Sequence, residues 1–286
     1  MNKTSIGACL VAPLLAAPLA IGAASFPALA AEASHTGYLL TSEALVMIPA
    51  MNQDWLDLTK SLYLVPNGFD KDSDPTFLQV PETSNLNQSM AGVQDILIKA
   101  IETKWDAGEF SAEDPLYVFG YSQAAVAAGM SEQALHDYGI PSDALHFVFV
   151  GDSATPDGFL ANIMATLLQW VPESWRPEVT DWINQFAEMN HINTAIGVVT
   201  PDNLFTTDTY TLTGDGFANW DNGANAPGMF WDHLAYLGLT PDEIAGATID
   251  PSDLTTYHII DSADVNMFDA LSNSFNMIMG GMLAWF

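Results

Sequence analysis

Short apolar runs alternate with polar or amphipathic stretches along most of the chain. Such runs, bounded by turn residues, predict strands at 44–48, 62–65, 116–119, 145–150, 209–212 and 255–260. Between the second and third runs, Met90, Val93, Leu97, Ile101 and Trp105 recur at three- and four-residue steps, which predicts an amphipathic helix. Strands that alternate with helices predict an α/β fold with a mainly parallel sheet covered on both faces.

The pattern changes between residues 158 and 202. Aromatic and aliphatic residues recur there at helical spacing, and Pro172 and Pro177 interrupt them. A helical insertion between two strands predicts a cap over one end of the sheet. The cap could simply extend the core, but its aromatic content favours an apolar wall for a lipid-like substrate.

The first thirty residues predict a secretory signal peptide. Lys3 supplies the positive start, 6–21 is apolar, and Ala28-Leu29-Ala30 offers a cleavage site of small residues. An uncleaved membrane anchor is the alternative, which Pro13 and Pro18 disfavour. We therefore predict one domain over 31–286 that is secreted or held in the cell envelope after cleavage near Ala30. Cleavage would also remove the only cysteine, Cys9, and with it any disulfide.

The charge balance is strongly acidic and narrows the choice of partners. The chain has 6 basic and 35 acidic residues, with a formal net charge of −29 at pH 7. A surface of this charge repels phosphate backbones, so we predict that nucleic acid is not a partner. The acidic residues are scattered rather than grouped, as on a solvated surface.

The candidate chemistry begins at Gly120-Tyr121-Ser122-Gln123-Ala124. An apolar strand that turns into a helix through Gly-x-Ser would raise the Ser122 hydroxyl above the sheet edge, as in a nucleophile elbow. The usual motif ends in glycine, where this chain has Ala124. An ordinary strand-to-helix turn with serine at the helix N-cap therefore remains an equal alternative on these residues alone.

A serine nucleophile needs a base, and the base needs an acid that orients it. In doubly wound hydrolases the chain order is serine, acid, histidine. Asp215 follows the 209–212 strand between two glycines and fits the acid better than Asp152 or Asp221. Two histidines follow Asp215. His258 falls inside a predicted strand and His233 follows a loop, so spacing places His233 only somewhat ahead.

Stabilising the oxyanion requires two hydrogen-bond donors. One should be the backbone N–H of Gln123, the residue after the nucleophile. The second should come from the loop after an earlier strand. Because 62–65 is predicted as a strand, we predict this donor near Asn67 and Gly68.

These residues together resemble the serine-esterase domain at the C-terminus of mycobacterial PE and PPE proteins, a cutinase-like α/β-hydrolase. The resemblance extends over about 62–262, and Gly120-Tyr121-Ser122-Gln123 is similar to the family's Gly-Tyr-Ser-Gln elbow. Gly214-Asp215-Gly216-Phe217-Ala218 resembles its Tyr-Asp-Gly-Trp-Ala segment, which implies Asp215 as the acid. His233-Leu234-Ala235-Tyr236 is similar to its Val-His-x-x-Tyr segment, which implies His233 as the base. The family's glycine-rich oxyanion segment is represented only by Val65-Pro66-Asn67-Gly68.

The sequence therefore predicts an exported serine hydrolase that cleaves carboxylic esters with apolar acyl chains. Its expected catalytic residues are Ser122, Asp215, His233, Gln123 and Asn67, without a cofactor or metal ion. Its expected partners are small-molecule or lipid esters, with possible association with the envelope. One alternative is an acyltransferase that moves acyl groups between envelope glycolipids. An alternative of another class is a non-catalytic envelope-binding domain on a hydrolase fold.

Overall fold

The computed structural model describes residues 42–48, 53–81 and 85–283, all of which belong to one compact unit within Tyr38–Phe286. The predicted signal peptide lies outside these residues and stays a prediction. The strands are β1 Ala44–Met47, β2 Thr76–Phe77, β3 Leu116–Tyr121, β4 Leu145–Val150, β5 Thr206–Leu212, β6 Thr248–Ser252 and β7 Thr255–Ile260. The α-helices are α1 Gln53–Thr59, α2 Leu86–Asp106, α3 Gln123–Tyr138, α4 Phe159–Leu168, α5 Arg176–Met189, α6 Gly228–Ala235, α7 Pro241–Ala245 and α8 Met267–Leu283.

The seven strands form one sheet in the order β2-β1-β3-β4-β5-β7-β6. Every neighbouring pair is parallel except β6 and β7. Alternate residues of β3 point to opposite faces, so Phe119 and Val118 belong to separate buried clusters. Helices α2 and α3 supply residues to the cluster of Val118, while α1, α7, α8 and the end of α6 supply the cluster of Phe119. The predicted mainly parallel sheet with helices on both faces is confirmed.

One local prediction was wrong. The run 62–65 forms no strand: Lys60–Leu64 is a π-helical turn, followed by a 3₁₀ turn over Val65–Asn67. The strand predicted at 255–260 is present as β7, and β6 pairs with it in antiparallel orientation as the edge of the sheet. Pro251 inside β6 is tolerated because an edge strand needs donors on only one side.

The insertion predicted over 158–202 consists mainly of helices α4 and α5, between β4 and β5. Leu160 of α4 and Ile183 and Ala187 of α5 are buried. The backbone N–H of Gly197 donates to the Leu160 carbonyl at 2.8 Å, which ties the end of the insertion to its start. Among the described residues, no helix is both long enough and apolar enough to cross a membrane.

Candidate active site

Ser122 stands between the end of β3 and the start of α3, in a backbone conformation that few residues adopt. Its φ is 57° and its ψ is −123°, a strained geometry that costs on the order of 1–3 kcal/mol. Its N–H donates to the Val150 carbonyl of β4 at 2.9 Å, which fixes the turn against the neighbouring strand. The side chain is thereby held above the carboxyl end of the sheet.

Gly120 explains how the turn can be this sharp. A Cβ atom at Gly120 would lie 2.8 Å from the backbone N and Cα of Ala125, so only glycine lets α3 pack this closely over β3. The last position of the motif carries no such requirement, because the methyl group of Ala124 is accommodated in the core at 3% exposure. The departure from Gly-x-Ser-x-Gly at Ala124 therefore leaves the elbow intact.

The structure brings together the three residues that the sequence predicted as nucleophile, base and acid. His233 Nε2 lies 2.7 Å from Ser122 Oγ, and His233 Nδ1 lies 2.8 Å from Asp215 Oδ2. A carboxylate can only accept, so Nδ1 carries the proton and Nε2 accepts from the serine hydroxyl. Asp215 is fully buried and His233 is 8% exposed. This arrangement can activate the hydroxyl as a nucleophile.

Asp215 is held by hydrogen bonds that account for both of its carboxylate oxygens. Its Oδ1 accepts from the Phe217 N–H at 2.9 Å, and its Oδ2 accepts from the Tyr236 hydroxyl at 2.9 Å. Tyr236 in turn accepts from the Leu212 N–H at 2.8 Å, so it links the end of β5 to the acid. Burial, together with the nearby Asp215 charge, raises the pKa of Tyr236 well above its ordinary value, which keeps its proton available for donation.

Aromatic rings enclose the imidazole of His233. Tyr121 stacks on it at 5.5 Å between ring centroids, and Phe217 meets it edge-on at 4.8 Å. The Tyr121 hydroxyl also donates to the His233 carbonyl near the end of α6. Burial raises the pKa of Tyr121, with a further contribution from Asp215, so this donor stays protonated. The rings and the hydrogen bond fix the position of the imidazole relative to Ser122.

Three of these supporting residues were not singled out from the sequence. Tyr236 lies three residues after His233, so the two share a helix face, and the family segment quoted above contains this spacing. Tyr121 occupies the variable position of the elbow motif, where no residue type is specified. Phe217 acts through its backbone N–H as well as its ring, and the sequence around Asp215 indicates neither role.

Gly151 leaves space for the imidazole of His233, so a side chain at position 151 is expected to disturb the base. Its φ is +63°, and a Cβ atom there would lie 2.9 Å from His233 Cε1. We expect Gly151→Ala to displace the ring and to lower kcat by about tenfold to a hundredfold. Gly139→Ala is the matched control, since Gly139 also has a positive φ of +98° but no atom within 4 Å of the added carbon.

Both substitutions should lower the free energy of unfolding by about 1–2 kcal/mol, because alanine is strained at positive φ. Only Gly151→Ala should lose activity in assays of the purified proteins well below their melting temperatures. Equal kcat values for the two variants would show that Gly151 does not control the imidazole.

Gln123 is the first residue of α3, so its N–H is one of those that the helix itself leaves without an acceptor. Its side-chain amide donates to Ser89 Oγ at 2.6 Å, which anchors α3 to the start of α2. The role of the Gln123 N–H as an oxyanion donor stays a prediction.

The prediction for Asn67 was wrong. Its side-chain amide donates to the Tyr63 carbonyl and the Tyr210 hydroxyl, both at 2.8 Å, and its carbonyl accepts from the Tyr117 hydroxyl. Asn67 therefore bonds to three tyrosines, none of which belongs to the triad. The chain leaves β1 beside the elbow, since Met47 pairs with Gly120, but residues 49–52 lie outside the described part.

His258 also lies away from Ser122. Its Nε2 and that of His146 each bind one oxygen of Asp208 at 2.6 Å, and its ring stacks on Tyr210 at 4.2 Å. These bonds outweigh the effect of burial, so the pKa of Asp208 is lowered. A cavity of about 260 Å³ opens beside His258, Tyr210 and Asn67, and Ser122 does not line it. His258 thus binds Asp208 and stands outside the triad.

The other candidate acids have different partners. Asp152 is fully buried and accepts from the Ala154 N–H and the Thr200 hydroxyl, which attaches the end of the cap to β4. Burial raises the pKa of Asp152 to about 6, against the opposing effect of those two hydrogen bonds. Asp221 lies in an exposed turn. Among the described residues, no group of three or more His, Cys, Asp or Glu side chains is arranged to hold a metal ion.

Comparison with known proteins identifies the same family that the sequence motifs resemble. A family model described as the PE-PPE domain matches residues 73–265. "Esterase PE16" of Mycobacterium tuberculosis (strain ATCC 25618 / H37Rv) is 27% identical over 180 residues, which cover 57% of this chain and 30% of the relative. The "Uncharacterized PPE family protein PPE28" of the same strain is 28% identical over 178 residues, which cover 57% of this chain and 24% of the relative. The chain thus matches less than a third of each relative.

Solved structures with similar folds are more distant. The RedJ thioesterase of the prodiginine biosynthetic pathway in Streptomyces coelicolor is 11% identical, with a TM-score of 0.38 and coverage of 90% of this chain and 91% of its own. A lipase-esterase related protein from Clostridium acetobutylicum ATCC 824 is 12% identical, with a TM-score of 0.36 and coverage of 84% and 93%. The family assignment rests on the sequence match: this chain, an α/β-hydrolase by its sheet and elbow, belongs to the PE-PPE domain family.

Proposed function

We propose that this protein is an exported serine hydrolase that cleaves carboxylic esters with apolar acyl chains. The observation that carries the proposal is the continuous hydrogen-bonded series from Ser122 through His233 to Asp215 at the carboxyl ends of parallel strands. The resemblance of the elbow to esterases and the relative named Esterase PE16 support the same reaction class. Export is inferred from the signal-peptide pattern of the first thirty residues.

In the first half of the reaction, Ser122 Oγ attacks the ester carbonyl carbon and its proton passes to His233 Nε2. The Gln123 N–H donates to the negative charge that develops on the carbonyl oxygen. His233 then returns the proton to the alcohol oxygen as the carbon–oxygen bond breaks. The alcohol leaves, and the acyl group remains on Ser122.

In the second half, His233 takes a proton from water, and the resulting hydroxide attacks the acyl carbon. The acid is released when His233 returns the proton to Ser122 Oγ. Asp215 stabilises the imidazolium that forms in both halves, and its bond to Nδ1 keeps Nε2 directed at the serine. Tyr236 and the Phe217 N–H position Asp215 through their hydrogen bonds to its two carboxylate oxygens.

The preference for apolar acyl chains is supported by the surroundings of the triad. Phe217 packs against His233, and Phe159 of the cap lies edge-on to both Phe217 and Trp220 at 6.1 and 5.1 Å. The net charge of −29 disfavours anionic substrates. The aromatic residues and the acidic surface together favour an uncharged, apolar acyl group.

A series of p-nitrophenyl esters tests the proposal. We expect kcat/KM to rise by about tenfold from acetate to butyrate or octanoate, as more apolar surface is buried. The p-nitrophenyl monoester of succinic acid is the control, because it resembles butyrate in length but carries a carboxylate, and it should react more slowly than butyrate. A preference for the charged ester, or no turnover of the series, would contradict the proposed substrate class.

A further inference from the structure

A row of exposed apolar side chains follows helix α5 of the cap. Trp175 immediately precedes the helix, and Trp182, Phe186 and Met189 follow along it. Trp175 is 65% exposed, Trp182 is 55% exposed and Met189 is 72% exposed. Phe186 is half-buried and stacks on Trp182, with ring centroids 5.8 Å apart.

These four residues lie on one side of the helix. At about 100° per residue, positions 175, 182, 186 and 189 fall within an arc of roughly 60°. Ile183 and Ala187, which are buried, lie on the neighbouring face and attach α5 to the rest of the protein. The exposed row is therefore a second apolar face and not the side that packs against the core.

The end of α4 adds two more exposed residues from the same insertion. Trp170 is 84% exposed and Leu167 is 40% exposed, and α4 packs against α5. We call the set of Leu167, Trp170, Trp175, Trp182 and Met189 the tryptophan surface. It contains three of the eight tryptophans of the chain. All three are exposed, so a large apolar area is in contact with water.

The tryptophan surface is connected to the active site through α4. Thr166 of α4 accepts a hydrogen bond from the Trp220 indole N–H at 2.9 Å. Phe159, at the start of α4, contacts Phe217, whose ring lies against His233. Helix α4 therefore begins beside a residue that packs on the base and ends two residues before Trp170.

We propose that the tryptophan surface docks the protein on a lipid surface that carries no net negative charge. Tryptophan favours the boundary between water and acyl chains, where its ring is apolar and its N–H stays hydrated. The substrate part of this inference rests on the proposed function, since docking would place the active site beside lipid esters.

The charges around the tryptophan surface select the kind of lipid. Exposed acidic residues flank it on the loop and helix: Glu173, Glu178, Asp181 and Glu188. Arg176 is the only basic residue between 158 and 202. Anionic headgroups would be repelled by this surface and by the net charge of −29, whereas zwitterionic or uncharged headgroups would not.

Vesicle flotation with the Ser122→Ala protein tests docking without turnover. We expect binding to phosphatidylcholine vesicles and weaker binding, at low salt, when part of the lipid is replaced by phosphatidylglycerol. Trp175→Ser combined with Trp182→Gln should lower the partition coefficient by about tenfold or more. Serine suits the position that precedes a helix and glutamine suits a helix interior, so the fold should be retained.

The matched control is Phe268→Gln combined with Phe275→Gln, which removes two aromatic rings on α8 that are 81% and 61% exposed. The control should bind vesicles like the parent. Absence of vesicle binding by the parent, or equal loss in both double variants, would overturn the docking proposal. Ester turnover does not enter this test, because all the proteins compared, including the parent, carry Ser122→Ala. A failed ester assay would therefore reject the proposed function and leave docking to be judged on flotation.

Discussion

Replacing Ser122 by alanine is expected to lower kcat for ester hydrolysis by at least about 10⁴-fold, because no acyl-enzyme can form. The hydroxyl bonds to His233, while the strained turn is held by Gly120 and by the bond of the Ser122 N–H to Val150, which alanine retains. The melting temperature should therefore change by no more than a few degrees. The measurement is turnover of p-nitrophenyl butyrate together with thermal unfolding of the purified proteins.

Ser131→Ala provides the matched control for this substitution. Ser131 lies on the same helix, α3, and its hydroxyl donates to the Ala127 carbonyl of that helix at 2.8 Å. The control should keep its turnover within about twofold, since alanine is a good helix former and the hydroxyl is remote from His233. Undiminished turnover in Ser122→Ala would mean that another group is the nucleophile.

The second large effect distinguishes the two histidines that follow Asp215. His233→Ala should lower kcat by about 10⁴-fold, since Ser122 then has no base and Asp215 no imidazole to orient. His258→Ala should keep kcat within about threefold, because its Nε2 bonds to Asp208 and not to the triad. It should instead lower the free energy of unfolding by about 1–3 kcal/mol, as one Asp208 oxygen loses its partner.

Both histidine variants are to be assayed well below their own melting temperatures, so that unfolding does not lower the apparent kcat. A loss of activity in His258→Ala as large as that in His233→Ala would show that the assignment of His233 as the base is wrong. Retained activity in His233→Ala would have the same meaning.

The nucleophile, the base and the acid could be predicted because each has a local signal. Gly120 and Ser122 interrupt a buried apolar run, and Asp215 directly follows another strand between glycines. The carboxyl ends of parallel strands lie at one edge of the sheet, so residues just beyond β3 and β5 are brought close together. His233 could be separated from His258 only by the family resemblance, because spacing alone left both possible.

The misplacement of Asn67 has a physical cause. The run 62–65 is a short apolar stretch, and such a stretch has the same pattern in a buried strand and in a buried helical turn. Leu62, Tyr63 and Leu64 are all buried in the structure, which leaves no polar position to reveal the helical period. The apolar pattern therefore predicts the end of a strand before Asn67, where the structure has a 3₁₀ turn.

The edge strand β6 and the contacts that support the triad could not be predicted from the sequence either. Strand β6 contains Pro251 and is largely exposed, so neither apolar alternation nor β propensity marks it. Gly151 leaves space for His233, and the Tyr236 hydroxyl donates to Asp215. Each of these contacts joins residues that are far apart in sequence. Such contacts become visible only when the strands and helices are placed together.

The role of Ser122 as the nucleophile is tested most directly by covalent labelling with a fluorophosphonate probe followed by peptide mass mapping. The proposed triad predicts one probe per molecule, attached to Ser122, with no labelling of Ser122→Ala and labelling slowed by at least about a hundredfold in His233→Ala. Attachment to a different residue, or no labelling of a preparation that hydrolyses esters, would contradict the assignment of Ser122 as the activated nucleophile.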